Sequence, residues 1–330
     1  MDVKKIDKNM DDNKLNSIDS LVYYNLNNDY LRGTAFNTGF MRLRDTDYVS
    51  EGVKTLMHHT SGINITFKTD SEKINIDAQV GGASYMSHMT AIGQIGFDLY
   101  VKVDGIFRFL STTKINKDKY NLTLIEGLER KEREYRLYFP LYMSVKSAQI
   151  GILPNRYFSF VKEKQEKIVI YGTSISQGGC ATRPGMSYTS IMERMSPYEY
   201  INLGFSGSAH LELEMADILN EINMKYLFLE VEANNTKEAL MEKLPIFIER
   251  LKCEHIFLIS HFPYTNVLIQ KDKKELLDAM RSFQKKMPRV TFIDGDFLLA
   301  DIDYDGTVDG VHLTDLGFFF VAKKLLAYIK

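Results

Sequence analysis

The apolar residues of this chain follow two different periods, one on each side of a charged stretch at residues 162–167, and this change of period constrains the fold more than any other feature. Before it, from about residue 34 to residue 151, the readable segments alternate. Ile63, Ile65 and Phe67 interleave with Asn64, Thr66 and Lys68, and Ile74, Ile76 and Ala78 interleave with Asn75, Asp77 and Gln79. A period of two places successive side chains on opposite faces, which is the pattern of half-buried strands. Turn-forming stretches such as Thr69-Asp70-Ser71 and Asp104-Gly105 separate the runs, and Tyr135, Leu137 and Phe139 continue the alternation. A β-sandwich follows. The run 129–136, which mixes charge signs, reads as a solvated loop or strand edge.

After residue 167 the texture changes to short continuous apolar runs separated by longer helical stretches. Strands are expected at 168–171, 200–205, 226–231, 255–259 and 290–293, and helices at 236–253, 273–287 and 314–330. Repeated βα units predict a parallel sheet covered on both faces. Ligands of such sheets bind beyond the carboxyl ends of the strands. A chain of 330 residues is long enough for two domains, with the sandwich assigned to 1–160 and the α/β unit to 161–330.

Composition narrows the partners. A net charge of −2, from 41 basic and 43 acidic residues, supplies no field for collecting phosphate backbones, so no nucleic-acid partner is expected. No apolar run approaches the roughly 18 residues of a membrane span, and the charged N-terminus lacks the apolar core of a secretion signal. No membrane partner and a cytoplasmic location are therefore the expectation; oligomeric state is not encoded. Cys180 and Cys253 are far apart and neither lies in a CxxC pair, which gives neither a disulfide framework nor a zinc ribbon. Asp301, Asp303 and Asp305 open like a calcium loop, but the twelfth position is His312 rather than glutamate. No metal or cofactor is expected.

Four segments carry chemistry. Ser174 ends the first strand of the α/β unit in Tyr171-Gly172-Thr173-Ser174-Ile175-Ser176, ahead of a flexible Gly178-Gly179. A serine is a weak nucleophile until a base lies within hydrogen-bond reach, itself oriented by a third group. Asp309 and His312, three residues apart before the last helix, supply both: the carboxylate can hold the imidazole tautomer while the other ring nitrogen faces Ser174. Thr314 or Asp315 is suited to start that helix. Acyl transfer also needs donors for the developing oxyanion. Gly207, after the second strand, can offer a closely approaching backbone N–H, and Asn234, after the third, a side-chain amide. Arg183 reads equally as a clamp for an anionic substrate group or as a surface residue. Glu232 is expected to face the pocket and favour a polar or cationic substrate.

The order GTSIS, NLGFSG, an asparagine after a strand, and DGVHLTDLGF resembles the four blocks of the SGNH, or GDSL, hydrolases. Gly96-Phe97-Asp98-Leu99-Tyr100 matches the GxDLY motif of the subgroup that carries an N-terminal β-sandwich. The resemblance covers nearly all of the chain after about residue 30. It implies a flavodoxin-like three-layer α/β/α hydrolase preceded by a jelly-roll-like sandwich. It places the nucleophile on Ser174, its partners on Asp309 and His312, and the oxyanion hole on the Ser174 N–H, Gly207 and Asn234. Thr173 departs from the aspartate of the family's namesake motif. Ala233 stands where the subgroup commonly has a proline, so Asn234 is preferred to Asn235 without being fixed by the pattern. The implied substrate is a small-molecule or glycan ester, acetyl by default. The alternatives are an acyltransferase using the same residues and a non-catalytic glycan-binding protein.

Overall fold

The computed structural model describes residues 3–16, 20–27, 29–162, 165–262 and 274–329. Among the described residues of the first half, ten strands form two antiparallel sheets. One runs in the order β1 (Val22–Asn25), β9 (Val145–Ile152), β4 (Ile74–Val80), β7 (Lys119–Ile125). The other runs β10 (Phe158–Phe160), β3 (Asn64–Thr69), β8 (Arg133–Tyr138), β5 (Asp98–Val103), β6 (Ile106–Thr112), with β2 (Leu31–Arg32) beside β3. Ile65, Phe67, Ile74, Ile76, Ala78, Tyr135 and Leu137 all point into one shared core, as the alternation requires. Asp104 and Gly105 take φ values of 51° and 79°, the left-handed pair that a tight two-residue hairpin turn between β5 and β6 demands.

One expectation is corrected here. The charged run 129–136 is not a solvated edge throughout: β8 pairs with β3 on one side and β5 on the other. Its Arg136 is buried, donates to Thr66 Oγ1 at 3.1 Å and lies over the Phe107 ring at 4.2 Å. An aromatic face and a hydroxyl accept the guanidinium that period-two reading assigns to solvent.

In the second half, five parallel strands run β12 (Glu199–Gly204), β11 (Lys167–Gly172), β13 (Tyr226–Glu230), β14 (Ile256–Ile259), β15 (Val290–Ile293). In chain order this is 2-1-3-4-5, so the order reverses beside β11 and opens a crevice at its carboxyl end. Two apolar clusters fill the two faces. One holds Val169, Leu203, Leu227 and Leu258 under the helices α5 (Leu213–Asn220) and α6 (Lys237–Arg250). The other holds Ile168, Ile170 and Phe228 under α4 (Tyr188–Met195) and α9 (Asp315–Leu326). These are the layers that α/β architecture needs. Among the described residues no helix is long and apolar enough to cross a membrane.

The halves share more than a linker. Leu43, Val49 and Val53, the last from α1 (Glu51–Leu56), belong to the first of those clusters, and Leu141 and Tyr142 to the second. Arg42 is fully buried; its guanidinium donates to the carbonyls of Asn202 at 3.1 Å, Gly204 at 2.6 Å, His59 at 2.8 Å and Leu56 at 2.6 Å, and lies over Phe205. Burial pulls its pKa down to about 9, which still leaves it charged at neutral pH. Glu193 of α4 pairs with Arg32 at 3.1 Å and accepts from Asn64 at 2.8 Å. The GxDLY motif makes a third tie: Asp98 accepts from Arg183 at 2.8 Å and from the Gly185 N–H at 2.8 Å, while Arg183 also donates to the Tyr100 hydroxyl at 2.6 Å.

Candidate active site

Ser174 opens a one-turn helix, α3 (Ser174–Gln177), directly after β11. Thr173 caps it, its hydroxyl accepting from the Ile175 N–H at 3.3 Å, a cap whose loss typically costs about 1 kcal/mol. Beneath the turn, β12 comes so close that a side chain on Gly204 would collide with the Gln177 backbone nitrogen, so only glycine fits there. The turn is held from below by Glu230 at the end of β13. One carboxylate oxygen accepts from the Thr173 N–H at 3.2 Å, the Thr173 hydroxyl at 2.7 Å and the Ser176 hydroxyl at 3.0 Å. Complete burial drives this carboxyl up to about 7 against those three donors. From the other half of the chain, Tyr142 donates its hydroxyl to the Ser174 carbonyl at 3.2 Å, and Ser61 donates to the Gln177 carbonyl.

The Asp309 and His312 loop follows the short helix α8 (Gly295–Leu299) and closes on itself through a Val308 N–H to His312 carbonyl bond of 2.8 Å. One oxygen of Asp309 accepts from the Val311 and His312 amides at 3.0 and 2.8 Å; the other meets His312 Nδ1 at 2.8 Å. Partial burial pushes this carboxyl up, yet donation from the His312 ring and the two amides outweighs it and holds the group below the ordinary carboxylate range. His312 Nε2 lies 2.9 Å from Ser174 Oγ. Thr314 starts α9, its hydroxyl accepting from the Gly317 N–H.

The structure thus joins Ser174, His312 and Asp309 by hydrogen bonds across 138 residues of sequence. Gly207 and Asn234 lie past the carboxyl ends of β12 and β13, the strands flanking β11. Gly207 has φ 66°, and a side chain there would meet nothing within 4 Å, so the turn faces open space. Among the described residues, no acceptor takes the backbone N–H of Ser174 or of Gly207. Asn234 Oδ1 accepts from the Ala209 N–H at 3.2 Å, which orients the amide and leaves Nδ2 without a partner among the described residues. Asn235 differs: its Nδ2 donates to the carbonyls of Ala209 and Val231 at 2.8 and 2.7 Å. The uncommitted donor is therefore on Asn234.

Two other residues have different work from that expected. Arg183 is held by Asp98 and Tyr100 and is not free to clamp a substrate anion. Glu232 is buried, and its carboxylate accepts from the His261 N–H at 2.6 Å just past the end of β14. Reading the sequence also missed the supports at Arg42, Ser61 and Tyr142. No spacing marks them, because each acts on a partner more than 30 residues away.

A serine, an imidazole and a carboxylate in series at a strand end, with N–H donors at Ser174 and past the ends of the adjoining strands that are unpaired among the described residues, make a constellation suited to acyl transfer and recognised by geometry rather than by sequence position. Residues 165–330 match the GDSL-like lipase/acylhydrolase family, and residues 21–158 match the GxDLY family, the N-terminus of SGNH-hydrolase-type esterases. The chain belongs to the GDSL-like lipase/acylhydrolase family and is an ester-hydrolysing enzyme. Its structure is similar to that of a GDSL-like lipase from Bacteroides ovatus, with a TM-score of 0.87 and 29% identity over 94% of this chain and 99% of that one. It shares its fold with the salicylyl-acyltransferase SsfX3 of a tetracycline biosynthetic pathway, with a TM-score of 0.69 and 18% identity over 94% and 96% of the two chains. It also shares its fold with the acetyl xylan esterase Est2A of Butyrivibrio proteoclasticus, with a TM-score of 0.53 and 11% identity over 94% and 97%. No curated protein matches the chain.

Proposed function

We propose that this enzyme is a serine esterase that removes O-acyl groups, acetyl above all, from a carbohydrate or related small hydroxylated molecule, and that residues 161–330 carry the chemistry while 1–160 brace it. The observation that carries the reading is the continuous relay from Asp309 through His312 to Ser174, with bonds of 2.8 and 2.9 Å. His312 takes the Ser174 proton through Nε2 as Oγ attacks the ester carbonyl. The Ser174 and Gly207 N–H groups and Asn234 Nδ2 receive the negative charge on the carbonyl oxygen of the tetrahedral intermediate. His312 then returns the proton to the departing alcohol, leaving an acyl-serine. Water, deprotonated by His312, attacks that ester and releases the acid, and Ser174 regains its proton. Asp309 stays ionised throughout, consistent with the hydrogen bonds that lower its pKa, and stabilises the transient imidazolium.

The acetyl and carbohydrate part of the proposal draws on the shared fold with an acetyl xylan esterase and with family-two carbohydrate esterases. The shared fold with an acyltransferase favours a second reading, in which an alcohol replaces the water. Both are tested by turnover of p-nitrophenyl esters of increasing acyl length, and of acetylated xylose, with and without an added sugar acceptor. The expected outcome is the highest kcat/KM for acetyl and release of free acetate whether or not acceptor is present. Preference for long acyl chains would overturn the acetyl assignment, and acyl-acceptor formed in place of free acid would make the enzyme a transferase.

A further inference from the structure

His88 reaches the relay from the sandwich half of the chain. It sits exposed on the turn between β4 and the short helix α2 (Ala91–Ile95), and its ring centroid lies 5.8 Å from that of His312. Cys180 approaches from another side, on the turn that follows α3. Donor atoms of His88, Cys180, Asp309 and His312, one from each, all lie within 4.8 Å of one another. Neither the nitrogens of His88 nor the thiol of Cys180 makes a hydrogen bond among the described residues, so two of the four donors are uncommitted.

The mechanism gives Cys180 no role, yet it is kept at a cost. Its φ is 72°, a left-handed backbone that side chains rarely adopt, and it is 5% exposed. A strained non-glycine residue beside reacting groups points to a use for its side chain. Two imidazoles, one thiol and one carboxylate are the ligand types that bind zinc(II) tetrahedrally, at about 2.0–2.1 Å for nitrogen and about 2.3 Å for sulfur. Such bonds set ligand atoms about 3.3–3.6 Å apart, so the present spread needs a contraction of roughly 1 Å. His88, on an exposed turn, is the ligand least held by its surroundings. Calcium and magnesium, which take six or more oxygens, do not suit this set.

We propose that His88, Cys180, Asp309 and His312 form an inhibitory binding site for zinc(II) and similar borderline divalent ions at the mouth of the relay. Both ring nitrogens of His312 are spent in the relay, one on Asp309 and one on Ser174. An ion on either nitrogen removes the base, so metal binding and turnover exclude each other. Cys180 gives its proton to solvent on coordination. The site also couples the halves, since His88 is its one ligand from before the charged linker. The inhibitory consequence rests on the function proposed above; the binding does not.

The test uses the full chain in two arms. Cobalt(II) added to the Ser174→Ala protein is expected to give the intense thiolate-to-cobalt absorption of a tetrahedral site, absent in Ser174→Ala/Cys180→Ala and at least about 10-fold weaker in affinity in Ser174→Ala/His88→Ala. In the wild-type enzyme, zinc is expected to abolish ester turnover reversibly with EDTA, while calcium and magnesium leave it unchanged. His88→Ala and Cys180→Ala are expected to keep basal turnover and to need at least about 10-fold more zinc. The exposed His88 variant keeps the test valid should Cys180→Ala fold poorly. An absent cobalt band, or affinity unmoved by His88→Ala, overturns the site. A band without zinc inhibition overturns its inhibitory role. A Cys180-dependent band in a protein whose wild type turns over no ester leaves the site standing and removes the proposed function instead.

Discussion

Two aspartates each face a nitrogen donor at 2.8 Å, and their carboxylates differ in burial. Asp98 is wholly buried against Arg183, and desolvation pushes its carboxyl up even though Arg183 and the Gly185 amide oppose the shift. Asp309 has a side chain 35% exposed, and its hydrogen bonds win over desolvation, so its carboxyl is held down. The same separation therefore serves two purposes. A pair whose carboxylate is wholly buried, like Asp98 with Arg183, locks two chain segments together, because removing its partner strands that carboxylate in a medium that cannot solvate it. A pair whose carboxylate is partly exposed, like Asp309 with His312, can orient an imidazole without being locked into the core. Burial of the carboxylate, not distance, separates the two pairs.

That contrast can be broken by exchanging the effects. Asp309→Asn should lower kcat by about 10⁴-fold through the wrong histidine tautomer, with a denaturation midpoint close to wild type. Arg183→Met should do the reverse, costing roughly 3–5 kcal/mol of stability in chemical denaturation while the folded fraction keeps its turnover. An Arg183→Met protein as stable as wild type would dissolve the distinction.

The donors sharpen it further. Asn234→Ala should lose about 10²–10³-fold in kcat with little change in KM, as expected for a donor used in the transition state. Asn235→Ala, whose amide is spent on two loop carbonyls, should lose only about 1 kcal/mol of stability per bond and keep its rate. Equal rates in the two variants would remove Asn234 from the oxyanion hole.

Glu230 provides a pH dependence. Its folded pKa of about 7 lies above its ordinary value of 4.5, so between those values the folded protein holds a proton that the unfolded chain has released. Stability from this group is present in full below pH 4.5, falls as pH rises toward 7, and is flat above. The total is at most on the order of 3 kcal/mol. Glu230→Gln should flatten that segment of the stability profile, measured as Tm between pH 5 and 8; an unchanged slope would place the proton elsewhere.

The sequence made the α/β half readable because each of its signals is local. Continuous apolar runs mark the buried parallel strands, and Asp309 and His312 need only a three-residue spacing within one loop. Ser174 could be matched to them because strand-end placement is itself a rule of the fold. The supports were not readable for the opposite reason. Arg42 donates to the Gly204 carbonyl across 162 residues, and Asp98 meets Arg183 across 85, so no periodicity or motif spacing records either pairing. The run 129–136 misled because Arg136 lies on a buried strand face, where Thr66 and Phe107 take the place of water. The sequence prefers Asn234 to Asn235 without fixing the choice; their hydrogen bonds separate them.

The central claim is that Ser174 is activated by His312, and covalent capture tests it most directly. A fluorophosphonate probe followed by peptide mass analysis should place the label on Ser174 of the wild-type chain and leave Ser174→Ala unlabelled and without ester turnover. Labelling at another residue, or undiminished turnover in Ser174→Ala, would contradict the account.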